Sequence, residues 1–440
     1  MTRDSESEHR RRLAFNRAFH CFITVLLPAP PPRSGPLSDL TVAVKDCIDV
    51  RGIRGTWGSS LMAGRFASED AAVVARLRRA GAQMVGTTNL HEFAFGGTTQ
   101  NPHFGFCRNA WDPGRVCGGS SGGSAVAVAL GLCDLGIGTD TGASVRLPAA
   151  LNGVFGLRPT HGAVSSCGVM PVSPPHDTVG FMARDLETLR RAIRSTYRFD
   201  SNDPFSRRTR LHRPVGKGKI RLGVLHELVA AADAGIAAVF RRALAGLPAS
   251  HVVVVEVSSP DFLEVATFLS QLVIADAASF HRTRLKEAPD GIGALVKERI
   301  ATGLTMSAVD YARNLRWIEG FQARVRRLFE HHDYLVCPTV PIGPPGIDMT
   351  EDGVAATRSL TRNCWIAPAA GLPALSVPCG TDSNGVPVGF QLVGPRDADL
   401  ALLDFAGNHL ADAVPVVDRA AFVASHPEPD ADAGRGSRNS

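Results

Sequence analysis

The sequence predicts an α/β protein in which helices cover a mostly buried sheet. Short apolar stretches rich in valine, isoleucine and leucine alternate along the chain with longer segments of helical periodicity. This alternation is typical of layered α/β folds, whose buried strands read as continuous apolar runs. No internal repeat and no convincing linker interrupts the pattern, so we expect one large domain over residues 12–425.

The composition is globular, with 44% hydrophobic and 20% charged residues in a chain of 440. The net charge of +5 is modest, and the basic run at 206–221 lacks the interleaved aromatic residues of a groove for single-stranded nucleic acid. We interpret that run as a solvated loop. No apolar run reaches the roughly 18 residues of a membrane span. Neither a nucleic acid nor a membrane is therefore expected as a partner.

The nine cysteines are dispersed and show no CxxC pair and no metal-ligand spacing. They are Cys21, Cys47, Cys107, Cys117, Cys133, Cys167, Cys337, Cys364 and Cys379. An odd, dispersed set in a large domain indicates reduced thiols that pack in the core. We therefore expect a cytoplasmic protein without a bound metal.

The N-terminal part starts with polar residues 1–11, which we expect to form a flexible tail. The following stretch predicts an amphipathic helix and a strand rather than a secretory signal, because polar residues interrupt its apolar run. A proline-rich turn at 28–36 then leads into a strand, Leu40–Val44, which ends in Lys45.

The next predicted helix covers residues 69–80, with Ser68 as its cap and Gly81 as its stop. From residue 261 to residue 332 we expect the chain to turn helical, and residues 426–440 have the composition of a disordered tail. The other predicted elements are strands at 83–88, 134–139, 220–225, 252–257, 334–340, 374–379 and 388–393, and helices at 124–132, 186–197, 230–245 and 397–413.

Two serines embedded in glycine stand out between Gly118 and Pro148. Glycine at this density leaves backbone N–H groups uncovered. Ser144 opens an apolar segment after a polar turn, which predicts a helix N-terminus where backbone donors and the helix dipole meet. An oxyanion at an attacked carbonyl requires such an environment. Ser120 fits a G-x-S-x-G nucleophile motif at 118–122, although so short a pattern arises easily in a glycine–serine run.

Lys45 ends an apolar strand, where a charged ammonium group would be poorly solvated. Burial lowers the pKa of a lysine, and a neutral amine can accept a proton. The alternative is a strand-end lysine that extends into solvent or pairs with Asp46 or Asp49. The residue alone does not decide between the two.

Asp140 and Arg146 bracket Ser144 in the sequence. The pattern favours a buried ion pair that holds the shape of the loop, against two independently solvated side chains. The three histidines of this region, His103, His161 and His176, are interpreted as loop or core residues rather than as bases.

Together, these segments resemble the amidase signature family. VAVKDCIDVRG is similar to its lysine segment, and GGSSGGSAVAVALGLCDLGIGTDTGASVRLPAALNGVFGLRPTHG resembles its serine–glycine signature nearly throughout. HDTVGFMARD, YLVCPTVP, and GLPALSVPCG with VPVGFQLVG resemble later segments. The similarity is strong over residues 40–185 and good over 334–412. It is weak over 186–333, the variable helical region that sets substrate specificity in the family.

The resemblance implies the amidase-signature fold, a large mixed, twisted central β-sheet covered by helices on both faces. It also implies a Ser–cis-Ser–Lys triad without metal or cofactor. Ser144 would be the nucleophile, and Ser120, behind a cis Gly119–Ser120 peptide bond, would relay protons. Lys45, neutral at rest, would be the ultimate base.

The family's remaining site residues carry over to the turn around Ser144. The oxyanion hole would consist of the backbone N–H groups of Thr141, Gly142, Ala143 and Ser144. Ser121, Asp140 and Arg146 would support the site. Two features depart from the family, which usually carries glycine at position 143 and a longer N-terminal part. The alanine methyl would narrow the pocket or strain a positive φ, and the short N-terminus puts the packing there in doubt.

The expected function is that of an amidase, which hydrolyses the C–N bond of small carboxamides through an acyl-enzyme on Ser144. Carbamates, as in a urethanase, remain open as substrates. The expected partner is a small-molecule amide, and the protein would be a monomer or a homodimer. Pocket walls are expected from the variable region and from the loops at 98–104 and 363–369.

Two alternatives stay open. The first is an amidotransferase A-type subunit, which carries the same signature but works on charged tRNA with partner chains. The lack of a basic, aromatic-rich tRNA surface argues mildly against it. The second is an α/β-hydrolase esterase that uses Ser120 as its nucleophile and a histidine as its base.

Overall fold

The computed structural model describes residues 3–27, 34–210, 218–348 and 353–410. Its strands are β1 (Phe22–Val25), β2 (Thr41–Lys45), β3 (Gln83–Thr88), β4 (Gln100–Asn101), β5 (Gly105–Phe106), β6 (Leu135–Thr139), β7 (Phe155–Arg158), β8 (Val179–Ala183), β9 (Ile220–Leu225), β10 (Val252–Val257), β11 (Tyr334–Pro338), β12 (Ala374–Thr381) and β13 (Pro387–Val393). Its helices are α1 (Arg3–Phe19), α2 (Ala72–Arg79), α3 (Gly122–Ala129), α4 (Arg146–Leu151), α5 (Leu186–Thr196), α6 (His226–Ala230), α7 (Ala234–Ala245), α8 (Asp261–Glu287), α9 (Ala294–Leu304), α10 (Ala308–His331), α11 (Gly353–Thr361), α12 (Ile366–Ala370) and α13 (Asp399–His409).

Eleven strands form one sheet in the order β1-β3-β2-β6-β8-β7-β12-β13-β11-β9-β10, and β4 pairs with β5 separately. β2 is parallel to β3 and β6, and β9 is parallel to β10 and β11. The other neighbouring pairs are antiparallel. The prediction of an α/β fold around a large mixed sheet is confirmed.

The two faces of the sheet carry separate apolar cores. Val42 and Val44 on β2 belong to one buried cluster, which also contains Leu77 of α2. Ala43, between them, belongs to a second cluster together with Val126 of α3. Because successive side chains of a strand point to opposite faces, helices pack on both sides of the sheet.

The register of the strands brings several chain segments to one edge of the sheet. Lys45 pairs with Thr88 at the end of the parallel strands β2 and β3. Thr139, at the end of β6, pairs with Val179 at the start of β8. The segments that follow β2, β6 and β7 therefore lie beside those that precede β8 and β12.

Residues 3–11, predicted to lie in a flexible tail, belong to helix α1, so that part of the prediction is wrong. Arg12 donates from Nε to the Leu132 carbonyl at 2.8 Å, and Phe15 and Phe19 are buried. These tertiary contacts stabilise a helix that the polar composition of its first turns does not reveal.

Two predicted helices differ from the observed ones. The helix predicted from residue 69 begins only at Ala72, because the backbone of Ala71 is not helical, with φ −55° and ψ 150°. The Ala71 N–H donates to the Asp49 carbonyl at 2.8 Å, which holds that conformation. The helix predicted over 230–245 corresponds to α7, which begins only at Ala234, and Ala230 ends the separate short helix α6. The helix predicted over 397–413 is observed as α13, Asp399–His409. The predicted domain end at 425 and the predicted tail at 426–440 lie outside the described residues.

Helix α8 opens the three-helix part of the variable region. Among the described residues it is the helix whose length and composition would allow it to cross a membrane. Its residues Leu269, Leu272, Val273 and Ala277 belong to the buried cluster that also contains Val42 of β2. The helix packs against α9 and α10. We interpret α8 as a helix of the domain core.

Candidate active site

Lys45 and Ser120 meet at the sheet edge where β2 ends. The Lys45 Nζ lies 2.7 Å from the Ser120 Oγ and 2.8 Å from the Thr139 Oγ1. Lys45 ends β2 and Thr139 ends its parallel neighbour β6, whereas Ser120 lies just before α3. Thr139 was not identified from the sequence, although it stands inside the quoted glycine-rich signature.

The Lys45 side chain is fully buried. Burial lowers the pKa of its amine, and the nearby Cys47 and Asp140 only partly oppose this shift. Loss of hydration penalises the charged form of a lysine. The amine is therefore more easily deprotonated than an ordinary lysine.

The two carboxylates that sequence analysis offered as partners of Lys45 are engaged elsewhere. Asp46 accepts a hydrogen bond from the Thr56 N–H at 2.7 Å, and Asp49 forms an ion pair with Arg65 at 2.6 Å. Within the described ranges, Lys45 forms no ion pair. Its amine instead contacts the hydroxyl groups of Ser120 and Thr139. Unlike a carboxylate, a hydroxyl group does not hold the amine in its charged form.

The serine loop places Ser144 against Ser121, the residue that follows Ser120. The Gly119–Ser120 peptide bond is cis. The Ser121 Oγ donates to the Thr139 carbonyl at 3.2 Å, and the Ser121 N–H donates to the Ser144 carbonyl at 3.1 Å. Ser144 keeps part of its surface exposed, and its hydroxyl makes no hydrogen bond to any described residue. That hydroxyl is accessible to a ligand.

Four successive backbone donors next to Ser144 are unpaired. Within the part of the chain that the structure describes, the N–H groups of residues 141–144 donate to no protein atom. On either side the donors are paired, since the Asp140 N–H donates to the Thr178 carbonyl at 2.7 Å and the Val145 N–H to the Asp140 Oδ2 at 3.2 Å. Converging free donors of this kind stabilise an oxyanion.

Asp140 is buried between two arginines. The Arg146 Nη2 lies 2.8 Å from the Asp140 Oδ1, and the Arg158 Nη1 lies 3.3 Å from the same oxygen. Burial by itself would raise the pKa of Asp140, but the two guanidinium charges lower it to about 2. The predicted ion pair between Asp140 and Arg146 is present. Arg158 was not identified from the sequence, although it ends an apolar strand as Lys45 does.

Arg146 also holds the loop that carries the unpaired N–H groups. Arg146 donates from Nη2 to the Gly142 carbonyl and from Nη1 to the Cys364 carbonyl, both at 2.8 Å. It also donates to the Gln391 Oε1 at 2.7 Å. Arg146 therefore connects the turn at 141–144 to β13 and to the segment at Cys364.

We expect Asp140→Asn to lower the free energy of unfolding by about 3–5 kcal/mol, because two buried guanidinium groups lose their counter-charge. Urea unfolding measures the change. Asp39→Asn is the matched control, since Asp39 pairs with Arg191 at the surface, where a pair contributes about 0–1 kcal/mol. Equal losses in the two variants would show that the buried pair is not a stabilising element.

A chain of hydrogen bonds links the turn to the variable region. The Thr141 Oγ1 donates to the Asp177 Oδ1 at 2.6 Å. The Asp177 Oδ2 accepts from the N–H groups of Val172 and Ser173 at 2.9 and 3.0 Å. The Ser173 Oγ donates to the Asp276 Oδ2 on α8 at 2.5 Å. Sequence analysis missed Asp177, although it lies in the HDTVG segment that carried the resemblance.

Ala143 stands where the family usually has glycine. Its φ is not positive, and its methyl group, only 2% exposed, packs with Leu147 and Leu360 in a small apolar cluster. The methyl group therefore fills the core, and the expected strain or narrowing is absent. Gly142 is the constrained position, because a Cβ there would come within 2.7 Å of the Trp365 ring.

The described residues contain no group of three or more His, Cys, Asp or Glu side chains that could hold a metal ion. None of the nine cysteines forms a disulfide bond, and all except Cys167 are buried. Burial raises the pKa of the Cys337 thiol to about 12. A thiol of that kind is a packing group rather than a nucleophile.

The family model described as Amidase matches residues 29–403 of the chain. Fold and site together thus define an enzyme that acts on carbon–nitrogen bonds. The chain belongs to the Amidase family, which carries the amidase signature, and the resemblance seen in the sequence is confirmed.

Similar proteins include the A subunit of the glutamyl-tRNA(Gln) amidotransferase from Symbiobacterium thermophilum, 38% identical over 404 residues that cover 84% of this chain and 82% of that protein. The crystal structure of the A subunit from Thermotoga maritima superposes with a TM-score of 0.79 at 30% identity, covering 91% of this chain and 90% of that one. A 6-aminohexanoate cyclic dimer hydrolase complexed with substrate gives a TM-score of 0.83 at 27% identity and 95% coverage of both chains. The amidotransferase relatives fit the first alternative better than a small-molecule amidase.

Proposed function

We propose that this protein hydrolyses the C–N bond of a small carboxamide through an acyl-enzyme on Ser144. The observation that carries the proposal is the buried Lys45 amine, 2.7 Å from the Ser120 hydroxyl. It also lies 2.8 Å from the Thr139 hydroxyl, at the end of the strand that precedes the unpaired N–H groups of residues 141–144. A depressed lysine pKa supplies a base at neutral pH without a histidine.

In the first half of the reaction, the Ser144 Oγ attacks the amide carbonyl carbon. Its proton moves to the Ser120 Oγ as the Ser120 proton moves to the Lys45 Nζ. The carbonyl oxygen becomes an oxyanion, which accepts hydrogen bonds from the N–H groups of residues 141–144. Asp140 and Arg146 act only by holding this turn in place.

In the second half, the C–N bond breaks and the leaving nitrogen takes a proton from Lys45 through Ser120. The acyl group remains on Ser144 as an ester. Water then attacks this ester while its proton passes through Ser120 to Lys45. The acyl C–Oγ bond breaks, the proton returns through Ser120 to the Ser144 Oγ, and the carboxylic acid is released. Ser144, Ser120 and Lys45 thus end in their starting protonation states.

For the physiological role, the first candidate is the A-type component of an amidotransferase, in which nitrogen released from an amide is passed on to charged tRNA with the help of partner chains. The 38% identity to such a component over 84% of this chain supports this candidate. Under it, the small carboxamide is the nitrogen donor.

The second candidate is a stand-alone hydrolase of small amides or carbamates. Its support is the 6-aminohexanoate cyclic dimer hydrolase, which this chain matches over 95% of both lengths with a TM-score of 0.83. Under this candidate, water is the only acceptor of the acyl group and the amine is simply released.

The test is to isolate the native chain with whatever copurifies and to measure ammonia or amine release from glutamine, alkyl amides, aryl amides and carbamates. Turnover by the chain alone in the usual range of about 1–10³ s⁻¹ supports the stand-alone hydrolase. Copurifying chains or charged tRNA that raise turnover at least about tenfold, a coupling of roughly 1.4 kcal/mol, support the amidotransferase component. No hydrolysis in either condition would refute the proposed reaction.

A further inference from the structure

A cavity of about 730 Å³ lies at the same edge of the sheet as Lys45 but is not lined by Lys45, Ser120 or Ser144. It is formed by the turns next to β7 and β12, by the segment around residue 205, and by α10. His176 and Pro368 lie on its wall, joined by a hydrogen bond of 3.2 Å from the His176 Nδ1 to the Pro368 carbonyl.

The cavity contains more positive than negative charge. Arg207, Arg326 and Arg396 line it, together with a single carboxylate, Glu330. Among the described residues, none of the three guanidinium groups has a carboxylate oxygen within 4.0 Å. The Arg396 Nη1 is buried and has no hydrogen-bond partner among them. A buried guanidinium donor without an acceptor is costly, so an anionic acceptor in the cavity would be stabilising.

Two of these arginines also act on each other. Burial lowers the pKa of the Arg396 guanidinium, and the charge of Arg207 lowers it further, with Asp397 only partly opposing the shift. The Arg207 N–H donates to the Gly162 carbonyl at 2.8 Å, which fixes that residue beside the cavity. An anion bound between the two guanidinium groups would remove their repulsion.

Much of the remaining wall is apolar, although Gln322, His161 and His176 also line it. Phe205 and Phe329 face the cavity with Val325 and Leu372, and the Phe205 ring packs edge-on against His161 at 5.6 Å. The volume lies within the range of small-molecule sites, in which apolar walls hold the body of the ligand and a few polar groups orient it. Forked guanidinium groups match carboxylate and phosphate oxygens.

We propose that this cavity binds a small organic anion, with its carboxylate or phosphate group between Arg207 and Arg396 and its apolar body against Phe205 and Phe329. The site is distinct from the triad and does not depend on the reaction that the triad performs.

The test is calorimetric titration of the full chain with phenyl phosphate, benzoate and benzyl alcohol, which share an apolar ring and differ in charge. Arg396→Gln and Arg207→Gln each remove one charged donor, and Arg207 is exposed, so its variant should fold even where Arg396→Gln does not. Arg241→Gln, an exposed arginine of α7 away from the cavity, is the matched control. Ser144→Ala separates this site from the active site.

We expect one or both anions to bind the native chain and benzyl alcohol not to bind. Each cavity variant should weaken binding by about 10- to 100-fold, the value of a hydrogen bond to a charged group. Arg241→Gln and Ser144→Ala should bind like the native chain. Binding of phosphate alone or carboxylate alone identifies the head group. Binding of neither anion, equal binding of benzyl alcohol, or unchanged affinity in both cavity variants would overturn the proposal.

Discussion

Lys45→Met is expected to lower kcat for amide hydrolysis by about 10⁴- to 10⁶-fold, the loss found when a member of a catalytic triad is removed. Methionine has a similar length and no charge, so it fills the buried position while removing the base that lies 2.7 Å from the Ser120 Oγ. Initial rates of ammonia or amine release measure the effect. Thermal unfolding checks that the variant is folded, which is expected because no buried ion pair is broken.

The pH dependence of the native enzyme provides the accompanying test. The base must be neutral, so kcat/KM rises with pH as Lys45 loses its proton. Because burial lowers the pKa of this amine, the rise falls below the usual lysine pKa of about 10.4. Lys45→Arg should be as inactive as Lys45→Met, since a guanidinium does not deprotonate. Near-native activity of either variant would exclude Lys45 as the base.

Ser144→Ala is expected to abolish turnover, by about 10⁵-fold or more, and to abolish covalent labelling by a fluorophosphonate. The variant removes the partly exposed hydroxyl next to the free N–H groups, and this hydroxyl has no hydrogen bond to a described residue that the change would break. Peptide mapping by mass spectrometry after labelling the native chain locates the adduct, which should be on Ser144.

Ser124→Ala is the matched control for this labelling. Ser124 lies in the same glycine–serine stretch and donates to the Ile137 carbonyl at 3.0 Å, without touching Lys45. Its variant should keep the adduct and the activity. An adduct on Ser120 would instead support the esterase alternative, which requires a histidine base. Among the described residues, however, the hydrogen-bond partner of the Ser120 Oγ is Lys45.

Much of the fold was predictable because strand periodicity is local. The strands predicted at 83–88, 220–225 and 252–257 have the observed limits, since each combines apolar and β-branched residues, which are enriched in strands. β7 and β8, of four and five residues, were missed. Length alone does not explain this, because β2, β6 and β11 also have five residues and were predicted. What makes β7 and β8 strands is their pairing with each other and with β12 and β6.

The candidate site divides in the same way. Lys45, Ser120 and Ser144 could be selected from the sequence, because a lysine at the end of an apolar strand and serines among glycines are visible in the linear chain. The partners Thr139, Arg158 and Asp177 could not. Their residue types are common, and what distinguishes them is proximity to residues many positions away.

By itself, the sequence determined the layered α/β class, the family and the three candidate catalytic residues, since residue type and spacing along the chain suffice for these. Only the tertiary structure decided that Asp140 lies between two arginines, that Ala143 packs into the core, and that residues 3–11 are helical. The physical reason is that burial and hydrogen-bond pairing depend on strand order. β6 lies between β2 and β8 in the sheet, and no local pattern of residues specifies that order.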